Sequence, residues 1–152
     1  MMRALTVFVI ALALAACGDS GGGGGGGGGA EGLVGGPGTT LNEGVPPISA
    51  VWFGTAYDAA TMQVYDKAST FKTGSPLVAV GTTITPQDPA TMKVTVEING
   101  SIKATLPLSP GGTGTTFGVD LTPQNFGPGS YLISFKGASG RSAASASVTI
   151  TP

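Results

Sequence analysis

Residues able to do covalent or acid–base chemistry are few in this chain of 152 residues: it has no histidine and one cysteine, Cys17. A serine nucleophile would need a buried lysine or a carboxylate as its base. Ser69-Thr70-Phe71-Lys72 supplies the S-x-x-K spacing of a serine acyl-transfer site, and Lys72-Thr73-Gly74 supplies a K-T-G. In such sites the two lysines are separate residues on distant elements, whereas here Lys72 would have to serve as both. Lys67, Lys72, Lys93, Lys103 and Lys136 sit beside polar or turn residues, the setting of solvated surface charge. Asp58, Asp66, Asp88 and Asp120 are the candidates for calcium, which takes about 6 to 8 oxygen ligands, and no D-x-D run supplies a first pair. Neither a catalytic set nor a metal site is expected. Trp52, Phe53, Tyr57 and Tyr65 fall close together. Neighbours on a strand point to opposite faces, so either Trp52 or Phe53 faces away from the core unless the segment is covered on both sides. An aromatic ring left exposed there could stack on a sugar or anchor a protein partner.

Cys17 has a different setting. Met1, Met2 and Arg3 make a short basic start, and residues 4–16 are Leu, Val, Ile, Phe and Ala interrupted only by Thr6. That is the layout of a secretory signal peptide. A spanning helix needs roughly 20 apolar residues, and this run is too short before it meets Gly18, Asp19, Ser20 and the glycines of 21–29. Leu14-Ala15-Ala16-Cys17 resembles the lipobox of bacterial lipoproteins. The resemblance implies cleavage between Ala16 and Cys17, a diacylglycerol on the Cys17 thiol and further acylation of the new amino terminus, an anchor of two or three chains. The alternative is an ordinary signal peptide cut at the Ala-x-Ala of residues 13–15, leaving Cys17 a stray thiol. In that family an Asp directly after the cysteine tends to retain the product at the inner membrane; Gly18 stands there, which favours the outer membrane. Residues 17–45 then read as the lipidated cysteine and a flexible glycine-rich linker, because glycine pays the largest backbone entropy on ordering and buries nothing.

Residues 46–152 are enough for one domain and too few for two. With no further cysteine, no disulfide can staple it. Six cations beyond the signal peptide face eight acids without a basic cluster, which argues against nucleic acid as a partner.

The apolar period in this domain is two. Met92, Val94, Val96 and Ile98 alternate with Lys93, Thr95 and Glu97; residues 102–108, 117–121, 131–135 and 144–150 repeat the rhythm. These predict half-buried antiparallel strands. Residues 77–84 are more continuously apolar, and 48–53 and 62–65 are further strand candidates. At Asn99-Gly100, a two-residue loop would set Val96 against Lys103 and Glu97 against Ile102. A three-residue loop, Ile98-Asn99-Gly100, instead pairs Val96 with Ile102 and Val94 with Ala104, and is the expectation. Two echoes, residues 58–64 with 88–94 and 85–88 with 122–125, are too few for a solenoid and predict a repeated Asx or Pro turn feeding a strand.

Pro128 to Phe135, a glycine-bounded turn at 137–140 and the final Ser/Ala/Val strand resemble the last hairpin of bacterial immunoglobulin-like and fibronectin-type-III-like domains. The resemblance implies an all-β, antiparallel Greek-key sandwich of about seven strands. It also implies that Tyr131 is the corner tyrosine whose hydroxyl bonds back to the preceding turn. The functional expectation is a lipid-anchored, non-catalytic module of the bacterial cell envelope. Its partners would be the membrane, through the anchor, and an envelope protein or glycan. The alternative is a glycan- or peptidoglycan-binding module using Trp52, Phe53, Tyr57 and Tyr65.

Overall fold

A computed structural model describes residues 32–36, 42–108 and 114–152. The continuously apolar and the alternating segments become strands: β7 (Val78–Thr82) from the first, and β8 (Lys93–Ile98), β9 (Ser101–Pro107), β10 (Thr116–Asp120), β11 (Gly129–Lys136) and β12 (Ser142–Thr151) from the second. Shorter strands precede them: β1 (Leu33–Gly35), β2 (Asn42–Gly44), β3 (Val51–Gly54), β4 (Ala56–Asp58), β5 (Val64–Tyr65) and β6 (Thr70–Lys72). The order β6-β12-β11-β8-β9 makes a five-stranded sheet and β10-β7-β3 a three-stranded sheet facing it. Strand β10 lies beside β7, skipping a hairpin, and β11 lies beside β8; these crossovers make the sandwich a Greek key. All pairings are antiparallel except that of β6 with β12.

Alternation explains the core between the two sheets. Phe53, Ala79, Phe117 and Val119 enter it from one side, and Val94, Val96, Ile133, Phe135, Val148 and Ile150 from the other. The neighbours of the first set, Trp52, Val78 and Val80, face the opposite way. They meet a third layer, the four-stranded sheet β1-β4-β5-β2, which contributes Tyr57, Met62 and Val64 to a second core. This is why 77–84 is continuously apolar: β7 is buried on both faces, as a strand sandwiched between layers must be.

Several expectations are corrected. The domain does not begin at 46, because β1 pairs with β4 and β2 with β5, which brings residues 33–35 and 42–44 of the expected linker into the fold. The two facing sheets hold eight strands, in keeping with the expected sandwich of about seven, and the short strands of the third layer carry too few residues to display a period. Residues 56–58 form strand β4, and of the strand expected over 48–53, Ile48 and Ser49 instead form a turn before β3. The β8–β9 loop has two residues: Ile98 pairs with Ser101, and Asn99 and Gly100 both take positive φ, 50° and 75°. That is the geometry of a primed hairpin turn, which matches strand twist. A bulge restores the apolar match, so that Val96 pairs with Ala104 and Val94 with Leu106.

Candidate functional site

Ala16 and Cys17, with the expected cleavage and lipid attachment, lie outside the described residues. Among the described residues no helix is long and apolar enough to cross a membrane.

The aromatic cluster divides between layers. Phe53, on β3, is 3% exposed in the main core, and Tyr57, on β4, is 1% exposed in the second. Trp52 points away from Phe53, is half-buried against the second core and carries the Lys67 ammonium 3.9 Å from its ring centroid. Tyr65 follows buried Val64 on β5 and so takes the other face of that strand. The four rings therefore share no exposed face. What remains is a groove of about 410 Å³ bounded by Val51, Trp52, Phe53, Lys67, Ser69 and Ala146, with a cation on its only indole. Lys67 was not foreseeable, because its approach to Trp52 depends on the return of the chain through β4 and β5.

The S-x-x-K spacing falls on β6 and the residue before it. On a helix a serine and a lysine three apart would share a face; on a strand they take opposite ones. Ser69 and Lys72 are both solvent-exposed, as surface residues are. Lys72 borders a cleft of about 330 Å³ at one end of the sandwich, floored by Leu77, Leu121 and Ile150 and edged by Asn125 and Phe126.

The aspartates are occupied locally. Asp58 accepts from the amides of Ala60 and Thr61, both at 2.8 Å, and Asp88 accepts from Ala90 at 3.0 Å. Each turn delivers a methionine two per cent exposed, Met62 into the second core and Met92 into the main one, so the sequence echo is one Asx-turn device used twice. The Thr61 amide, joined by the Ala60 amide and the Thr61 hydroxyl, holds the Asp58 carboxyl below its ordinary range against an opposing push from burial. Asp66 accepts from the Thr55 hydroxyl at 2.9 Å, and Asp120 from the Thr122 amide at 2.9 Å. Among the described residues no three of His, Cys, Asp and Glu converge as metal ligands.

Tyr131, on β11, is nearly buried, stacks on Phe126 at 4.6 Å and donates its hydroxyl to the Gly127 carbonyl at 2.9 Å. That bond ties the head of β11 to the turn between β10 and β11.

Compared with protein-family models, with curated proteins and with solved structures, the chain matches none. Function must therefore be argued from the residues themselves.

Proposed function

We propose that this protein is a lipid-anchored, non-catalytic component of the bacterial cell envelope, held through Cys17 in a membrane, the outer one by preference, and presenting its β-sandwich as a binding or structural module. The observation that carries this reading is the position of the sole cysteine: it ends an apolar run of signal-peptide length, small residues precede it and a glycine tract follows. The order of anchor, glycines and a sandwich entered at Leu33 suits a domain displayed at a membrane surface. The polar side chains of the module also support the reading, since its aspartates and Tyr131 are spent on turns and corners rather than gathered at a cleft.

The test is intact mass and membrane fractionation of the protein from its native host, wild type beside Cys17→Ser. A wild-type chain beginning at Cys17 with the diacylglyceryl mass, and a variant that leaves the membrane fraction, is the expected result. A soluble, unlipidated wild type would overturn the reading.

A further inference from the structure

On the outward face of the five-stranded sheet, the register sets side chains in rows across the strands. Lys136, Lys93 and Pro107 form one row, Ser134, Thr95 and Thr105 the next, and Leu132, Glu97 and Ile102 the third. Like charges directly opposed across strands destabilise a sheet, so the Lys136 and Lys93 pair is a local cost that some anion must offset. Lys136 meets it by reaching two rows away to Glu97, at 3.4 Å. Its stem must cross the middle row, which accounts for Ser134 and Thr95 being buried although they face outward. Lys93 stays exposed and makes no ion pair among the described residues.

Between the two lysines lies a groove of about 420 Å³, bounded by Thr91 and Thr105 and by the glycines of the β11–β12 turn. Among the described residues no carboxylate lines it. The same sheet face continues as hydroxyls: Ser130 and Thr149 pair across β11 and β12, and Ser145 and Ser147 point the same way.

We propose that this groove binds an anionic glycan, with a carboxylate or phosphoryl group between Lys93 and Lys136 and sugar hydroxyls on Thr91 and Thr105. The proposal rests on the reading of the sandwich as a displayed binding module and names its ligand class. Lys136 exchanges Glu97 for the ligand without leaving the face, and the bound anion then screens it from Lys93. Protein contacts are commonly anchored by a buried aromatic or large aliphatic side chain; among the described residues none lines this groove, which offers threonine hydroxyls, glycine backbone and the two lysines.

The experiment is a titration of the full chain followed by amide resonances, with a uronic-acid trisaccharide, a neutral trisaccharide and inorganic phosphate as probes. The uronic trisaccharide is expected to move residues 91–95, 105 and 136–140, phosphate to move the same set more weakly, and the neutral sugar to move none. Lys93→Gln and Lys136→Gln should each weaken binding about tenfold, the worth of one charge-assisted hydrogen bond. Glu97→Gln, which releases Lys136, should tighten it about twofold. Lys103→Gln, on β9 beside a different groove with Tyr131 and Phe126, should leave it unchanged. No shifts with the uronic trisaccharide, equal binding of the neutral sugar, phosphate binding as tightly as the trisaccharide, or equal loss in Lys103→Gln would each overturn the proposal. Binding in solution does not depend on lipid, so an unlipidated chain that binds leaves the site standing while the anchor falls, and a lipidated chain that does not bind has the reverse meaning.

Discussion

Gly118 lies where the third layer presses on the middle sheet: a Cβ built there would stand 2.5 Å from Cε2 and Cζ of the Tyr57 ring. Gly81 does the same for Phe135 on the opposite face, with a Cβ 2.8 Å from Cδ2. Both aromatic rings thus pack onto backbone, which only glycine permits at such approach. Gly118→Ala is expected to destabilise the fold by about 1 to 3 kcal/mol through overpacking, read as a lower urea midpoint. Combining it with Tyr57→Leu should cost less than the sum of the two single changes, since the clash is shared; strict additivity would mean that ring and glycine do not meet. Asp58 gives a pH prediction of definite sign. Its carboxyl is held below the unfolded value by amide hydrogen bonds, so its contribution is present above the unfolded pKa and disappears as pH falls through the folded one. The thermal midpoint of wild type should exceed that of Asp58→Asn at pH 6, and the gap should close as pH drops below the ordinary carboxylate range. A gap that persists into strong acid would show that the charge on Asp58 is not what the turn uses.

Among the elements, the β8–β9 hairpin shows how two local rules can be satisfied together. Asn99 tolerates φ 50° because its short polar side chain suits the left-handed region, and the bulge on β9 then absorbs the residue that regular pairing would have set wrongly. Asn99→Val should cost about 1 to 2 kcal/mol, and Asn99→Gly should be close to neutral, both by denaturant melts; equal effects would remove the conformational argument. The bulge also serves the edge. With Lys103 and Pro107 it blunts a seven-residue strand that would otherwise be open to pairing. Strands β8 to β12 were legible because each carries enough alternating residues for a period of two to show, and β7 because its apolar run is unbroken. Strands β1, β2, β4 and β6 have three residues each, too few for any period, and exist because neighbours distant in sequence supply the pairing. The same cause hid the fate of Trp52, since alternation says that it opposes Phe53 but not that a third sheet will cover it. The bulge was invisible for a related reason, as loop length alone was made to account for register. A chain beginning at Pro46 lacks β1 and β2 and loses the packing of Val34 on the second core. It should be less stable than one beginning at Gly32 by about 1.5 to 3 kcal/mol, the worth of one buried aliphatic side chain.

At the scale of the whole molecule, two cores share one sheet. Strand β7 gives Val78 and Val80 to one and Ala79 to the other, so loosening either core strips a face from the same strand. Cooperative unfolding follows from that sharing, because neither outer layer can leave without exposing apolar surface that the middle sheet cannot cover alone. The chain supplies its own reporters. Trp52, the single tryptophan, packs on the second core, whereas far-ultraviolet dichroism weighs all three sheets. Indole fluorescence and dichroism are expected to trace one urea transition. Met62→Ala and Met92→Ala, each emptying a different core, should both shift it whole, by about 2 to 5 kcal/mol. If Met62→Ala instead separates the fluorescence transition from the dichroism, the third layer is an independent cap, and β7 must be stable with one face bare.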